Sequence, residues 1–242
     1  VRAHSKFSAS GAERWFNCSA SVEASVGQPD RESPWAIEGT KAHGVLERFL
    51  LDAIHKGRVS PDIDGPEPTE MRQHAARAAH FIWDLKKKLD CDVLVENRIY
   101  LDFIHPEMFG TFDSAVLDHF GTLHVFDYKY GAGHAVSPKN NLQMIFYGLG
   151  LAYKYNWNFS NAKLWIIQPR ISGYQGPTYW QLPIEMLKSY VTDFRQAVWR
   201  VENNPEFREG SWCHWCKAKS VCPLKTESKL EKAKDVFKSI TI

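Results

Sequence analysis

From Gly110 to Lys129 the chain reads GTFDSAVLDHFGTLHVFDYK. Two apolar runs, Phe112 to Leu117 and Leu123 to Tyr128, lie either side of Gly121, which predicts two short strands joined by a tight turn. Strands so joined pair antiparallel, and Asp113 and Asp127, fourteen residues apart, can then approach one another. Toward the N-terminus, Val93-Leu94-Val95 and Ile99-Tyr100-Leu101 read as further strands. Toward the C-terminus, Ala162 to Gln168 and Thr178 to Leu182 do the same.

Helical patterns surround this meander. Ser10-Gly11-Ala12-Glu13 has the form of a capping box and predicts a short helix to about Asn17. Ala42, Val45, Leu46, Phe49 and Leu50 recur at helical spacing within a helix expected over Ile37 to Ile54. Three Pro and two Gly between Lys56 and Thr69 mark a loop, and another helix follows from Glu70 to Leu89. Pro138 opens a helix that Leu142 to Tyr155 continues, and a last long helix runs from Pro183 to Val201. Helices, a strand meander, a helix, a strand and more helices predict a central mixed β-sheet flanked by helices, of α/β or α+β class.

Composition narrows the class. Of 242 residues, 44% are hydrophobic, 13% aromatic and 24% charged, which excludes a disordered tail, a collagen and a disulfide knot. No run approaches the roughly 18 apolar residues of a membrane span, so no membrane partner is expected. Val1 to Phe7 lack the apolar core of a secretory signal, and position 1 is not Met, which predicts a trimmed start. The net charge is only +2, but residues 217–242 hold seven Lys against three acids. That basic end suits either phosphate contact or a solvated helix face.

Chemistry concentrates in three patterns. Two carboxylates on adjacent strands attract a hard divalent cation, Mg2+ or Mn2+. Lys129 leaves the same strand face as Asp127, where an ammonium can stabilise charge on a metal-bound phosphate. The Asp127 strand is otherwise apolar, so its carboxylate needs a partner. Gly39-Thr40-Lys41-Ala42-His43 comes second: a neutral His43 imidazole can add a ligand, Gly39 would let another backbone come close, and Glu47 lies one turn on. Third, Gln143 and Tyr147 share a helical face that can hold a nucleic-acid phosphate or base, or simply mark the boundary of an amphipathic helix.

The five cysteines are Cys18, Cys91 and the trio Cys213, Cys216 and Cys222. A clustered trio reads as metal ligation in a reducing compartment, with the cytoplasm as the expected location. The trio with His214 is a poor zinc set, because His214 is wedged between two of the ligands. Cys91 reads as an ordinary buried thiol. Trp212 and Trp215 suit packing around a metal centre better than stacking on unpaired bases. Lys86-Lys87-Lys88 either touch phosphates or end a helix favourably.

The ordered set Gly-x3-His, Gly-x-x-Asp, Asp-x-Lys and Gln-x3-Tyr resembles the PD-(D/E)XK nuclease superfamily, in its RecB-like branch. That branch includes the nuclease domains of recombination helicase–nucleases and the CRISPR adaptation nucleases. The segment Ser8-Ala9-Ser10 to Trp15-x2-Cys18 also resembles small phage-encoded exonucleases, and the likeness runs from Ser8 to Pro223. Phe112 stands where the superfamily name has Pro, as is usual for the branch, and Asp127 stands where Glu is also common.

The resemblance implies a restriction-endonuclease-like core. It makes His43, Asp113, Asp127 and the Tyr128 carbonyl ligands of Mg2+ or Mn2+, and Lys129 the catalytic lysine. Gln143 and Tyr147 handle DNA, and Glu47 supports the site from behind. Cys18, Cys213, Cys216 and Cys222 match the layout of an iron–sulfur subgroup and imply a 4Fe–4S cluster; four thiolates on a structural Zn2+ satisfy the same spacing. The whole chain, 1–242, is then a single nuclease domain. Its core spans about 37–201, its cluster-binding segments 8–18 and 205–223, and its basic C-terminal helix 224–242.

The expected activity is metal-dependent DNA hydrolysis, as an exonuclease in recombination, repair or phage DNA metabolism. The expected partners are DNA with a recombinase, a single-strand annealing protein or a helicase. The competing expectations are a non-catalytic DNA-binding module on the same fold and a metal-stabilised interaction protein.

Overall fold

The computed structural model describes residues 5–29 and 33–226. Its centre is a five-stranded sheet, β1 (Val93–Tyr100), β2 (Phe109–Leu117), β3 (Thr122–Tyr128), β4 (Asn161–Ile167) and β5 (Thr178–Pro183), in that spatial order. β3 and β4 run parallel and the other neighbours antiparallel, so the sheet is mixed. A parallel pair needs a crossover, supplied by α5 (Leu142–Lys154). Around the sheet lie α1 (Ala12–Asn17), α2 (Ser21–Ala24), α3 (Pro34–Lys56), α4 (Thr69–Lys88) and α6 (Ile184–Asn203). This is the expected α+β class, consistent with a restriction-endonuclease-like core.

Two cores follow from the two sheet faces. Phe49, Leu50, Ala79 and Ile82 of α3 and α4 pack with Val116, Phe126 and Tyr128 on one face. Trp15, Phe146, Leu149, Leu187 and Phe194 of α1, α5 and α6 pack with Ala115, Val125 and Leu164 on the other. Because β3 is covered on both sides, it reads as a continuous apolar run rather than an alternation. Among the described residues, no helix is long and apolar enough to cross a membrane.

Several boundaries differ from expectation. α3 begins at Pro34 rather than Ile37, because the Ser33 side chain accepts the Ala36 N–H and Pro34 fits the first turn. Pro138 does not open α5; Asn141 does, accepting the Met144 N–H. The capping box at Ser10 does not form: the N-cap is Gly11, whose N–H donates to Ser8 Oγ instead. The two strands expected at 93–95 and 99–101 are one continuous β1, which ends at Tyr100.

The two ends of the described chain meet. Ala20 N donates to Glu206 O at 3.1 Å, Glu206 N to Ser19 Oγ at 2.8 Å and Arg200 to Phe16 O at 3.3 Å. Trp15 and Phe16 pack their rings against Phe194 of α6 at 5.6 and 5.4 Å. Of the cysteine trio, Cys213 ends one short 3-10 turn, Ser211–Cys213, Cys216 caps a second, Lys217–Ser220, and Cys222 follows it. Of the expected basic helix 224–242, residues 227–242 lie outside the described residues.

Candidate metal centre

The turn at Gly121, with φ +85°, joins β2 to β3 as the sequence requires. Ser114 pairs with Phe126, so the next residues along, Asp113 and Asp127, stand opposite one another on one face. Asp113 is held at both oxygens: Oδ1 lies 2.9 Å from His43 Nδ1, and Oδ2 accepts the Tyr128 N–H at 2.6 Å. His43 reaches it from the middle of α3, one turn before Leu46 and Glu47.

Asp127 is only 1% exposed. Its Oδ1 accepts from Lys129 Nζ at 3.1 Å. Its Oδ2 lies 2.8 Å from the same ammonium, so the ion pair spans both oxygens, although Oδ2 makes no hydrogen bond of good angle. Lys129 in turn donates to Gln143 Oε1 at 2.9 Å, and Gln143 Nε2 donates to Tyr147 OH at 3.1 Å. The i, i+4 pair on α5 is thus the far end of a chain that starts at Asp127.

Sequence reasoning missed Glu96. One side-chain atom each of His43, Glu96 and Asp113 lie within 4.8 Å of one another. Glu96 stands across from Asp113, between the pairs Val95–Ser114 and Asn97–Phe112, and takes a left-handed φ of +47°. That residue inverts the strand's alternation. Before it, Val93 and Val95 face α3 and α4 while Leu94 faces α5; after it, Ile99 faces α5. Strict period-two reading therefore could not assign Glu96 to a face. The available signal was an acid breaking an apolar run one strand away from Asp113.

The titration directions reflect burial acting together with two close carboxylates. Burial lowers the His43 pKa, but the Asp113 carboxylate, by charge and hydrogen bond, and then Asp127 outweigh it and raise the value. Asp127 is raised by burial, against Lys129 and with help from Asp113. Tyr147 is pushed well up by burial and by the same two carboxylates. A cluster of this kind is relieved by a cation. The donor set, one imidazole and hard carboxylate oxygens with one buried oxygen lacking a hydrogen bond, fits Mg2+ or Mn2+.

Other expected residues fall elsewhere. Among the described residues, no hydrogen bond or ion pair ties Glu47 to the centre. Gly39 allows no close approach, since a Cβ there would meet nothing within 4 Å. The needed glycine is Gly110, where a Cβ would lie 3.1 Å from Ala9 Cβ and 3.4 Å from Tyr147 Cε1. Gly110 thus seats the Ser8–Ser10 segment against the site's helix. The Tyr128 ring turns to the α3–α4 face and lies 6.0 Å from the His43 ring.

Cys18 Sγ accepts the Arg208 N–H at 3.4 Å, and Cys213 donates to the Arg208 carbonyl at 3.9 Å. Cys213 and Cys222 lie near Lys225, which pairs with Glu209. Among the described residues, no three cysteine sulfurs lie within 4.8 Å of one another. Cys91 is buried beside the end of α4, where it donates to the Lys86 carbonyl and burial raises its pKa. Lys86, Lys87 and Lys88 end α4, favourably for its dipole. Trp212 does pack: its Nε1 donates to Arg208 O and its ring covers Gly210. Trp215, expected to pack likewise, is 70% exposed.

A family model described as "Protein of unknown function (DUF2800)" matches residues 4–242. Among solved structures, the crystal structure of SSO0001 is similar at 15% identity with a TM-score of 0.39. The match covers 93% of this chain and 89% of that one.

Proposed function

The chain belongs to the DUF2800 family of proteins of unknown function, and from its site we propose that it is a divalent-metal-dependent deoxyribonuclease. The observation that carries this reading is the convergence of His43, Glu96 and Asp113 within 4.8 Å, next to buried Asp127 with an oxygen that makes no hydrogen bond. His43, Glu96, Asp113, Asp127 and the Tyr128 carbonyl would hold Mg2+ or Mn2+. The ion would supply a Lewis acid for a phosphoryl oxygen.

The chain's own groups do the rest. Lys129, fixed between Asp127 and Gln143, stabilises the negative charge that develops on the attacked phosphate. Tyr147 keeps Gln143 in place, so Lys129 need not reorganise when charge appears. Asp113, bonded to His43 and to the Tyr128 N–H, locks the imidazole toward the centre. Water attacks phosphorus, and the bond to the 3′-oxygen breaks to leave a 5′-phosphate, as in the RecB-like nucleases this sequence resembles. We read the enzyme as an exonuclease of recombination, repair or phage DNA metabolism, acting with a recombinase, annealing protein or helicase.

Cys18, Cys213, Cys216 and Cys222 would supply the soft donors for a 4Fe–4S cluster or a structural Zn2+, drawing together sulfurs of which no three lie within 4.8 Å of one another among the described residues. The Arg208 N–H on Cys18 is of the kind that stabilises a thiolate. Cysteines kept as metal ligands would suit a reducing compartment such as the cytoplasm. The experiment is cleavage of end-labelled single- and double-stranded DNA with Mn2+, with Mg2+ and with EDTA, for wild type and Asp113→Asn. Metal-dependent cleavage that falls on the order of a hundred-fold in the variant is expected. Binding without cleavage would make the chain a DNA-binding module. Neither binding nor cleavage would leave an interaction protein built around the cysteines.

A further inference from the structure

We infer that Trp215 is a stacking post for an unpaired base of single-stranded DNA, set between two hollows lined by basic side chains. The inference takes its ligand from the nuclease reading above.

The first hollow, about 850 Å3, is lined by Lys6, Arg14 and Lys217, by the hydroxyls of Ser8 and Ser10, and by Trp215. Its serine wall leads back to the site, because Ala9, between those serines, shares with Tyr147 the space above Gly110. The second, about 600 Å3, is lined by His134, His214, Lys219 and Lys225, again with Trp215. Its His134 belongs to the loop that leaves Lys129. Gln168 clamps that loop, donating to the Gly131 and His134 carbonyls at 2.8 Å and accepting the Val136 N–H at 2.9 Å. Both hollows therefore touch chain segments that lead directly to the catalytic residues, and Trp215 is the ring they share.

An indole 70% exposed has little packing role. Its neighbour Trp212 performs the structural task, sealing Gly210 and bonding to Arg208. Among the described residues, the ring packed on Trp215 is that of His214, edge-on at 4.4 Å, which steadies the indole while it stays largely exposed. An exposed aromatic face flanked by basic side chains is what binds single strands, since every base has a π-face and every phosphate a charge. An acidic peptide would use the lysines and leave the indole idle.

The test uses the full chain in EDTA, so that no cleavage occurs, and measures anisotropy of a fluorescent oligothymidylate. Trp215→Ala should weaken binding about ten-fold, while Trp215→Phe keeps most of it. An abasic oligomer of equal length should bind wild type and Trp215→Ala alike. Lys219→Ala should lower the salt slope by about one. Equal affinity of wild type and Trp215→Ala for oligothymidylate would overturn the proposal, as would an equal loss on the abasic strand. So would displacement by polyglutamate as effective as by DNA, or tighter binding of an RNA oligomer. If Trp215→Ala misfolds, wild type alone decides, by the intact strand binding tighter than the abasic one. Absence of cleavage with stacking intact would remove the nuclease reading and leave Trp215 standing. Cleavage with Trp215 irrelevant to binding would do the reverse.

Discussion

Glu96 holds a left-handed backbone in the middle of a strand, a conformation that costs a non-glycine residue about 1–2 kcal/mol. What the site gains is a carboxylate turned toward His43 and Asp113. Two consequences can be measured separately. Glu96→Gly should weaken Mn2+ binding on the order of ten-fold, read by titration calorimetry, because one anionic ligand is gone. The same change relaxes the backbone, so the metal-free variant should resist denaturant at least as well as wild type. Unchanged Mn2+ affinity would remove Glu96 from the centre. Asp113, Asp127 and Lys129, and Gln143 with Tyr147, were legible because each sits at a spacing that strand or helix geometry converts into proximity, whereas His43 joined them through its ligand chemistry and the family resemblance. Glu96 was not legible, since its role depends on a single backbone inversion that no periodicity reports.

At the level of elements, the pairing of β3 with β4 carries a buried polar group of its own. Trp165 Nε1 donates to His124 Nδ1 at 3.2 Å, so Nε2 carries the proton and donates to Asp118 at 3.3 Å. Burial lowers the His124 pKa below its ordinary value near 6.5, and Asp118 only partly opposes this. The unfolded chain then binds a proton that the folded chain does not. His124 thus withholds nothing above about pH 6.5 and costs stability as pH falls from there to its depressed folded value. Melting temperatures across that window should fall more steeply for wild type than for His124→Leu, which starts lower because Asp118 and Trp165 lose a partner. Parallel pH profiles would show that His124 titrates as freely folded as unfolded. The strands themselves were readable from apolar runs and turn glycines. The start of α3 was not, because its signal is a Ser33-Pro34 pair lying outside the apolar periodicity.

Across the whole molecule, the first helix and the last loop are held together by α6, by the Ser19–Glu206 contacts and by the shared Arg208 backbone of Cys18 and Cys213. A metal on Cys18, Cys213, Cys216 and Cys222 would close that junction, and closing so long a loop restricts the unfolded chain most. Cys18→Ala should therefore release iron or zinc and expose the segment after residue 205 to protease, as Cys216→Ala does. Full metal content with unchanged protection would make Cys18 an ordinary thiol. The cysteine spacing could be read from sequence, but not the division of labour between its tryptophans, since the half-buried ring of Trp212 and the exposure of Trp215 depend on how Gly210 lets the chain fold under one ring.

The central claim is that a metal held by His43, Glu96, Asp113 and Asp127 works with Lys129 on a DNA phosphate. Its most direct test is to measure Mn2+ affinity and DNA cleavage rate side by side in Lys129→Ala. Lys129 is bound to Asp127 and Gln143 but is itself no ligand. The account predicts that Mn2+ still binds while the cleavage rate falls on the order of a hundred-fold or more. Cleavage by Lys129→Ala at the wild-type rate would contradict it.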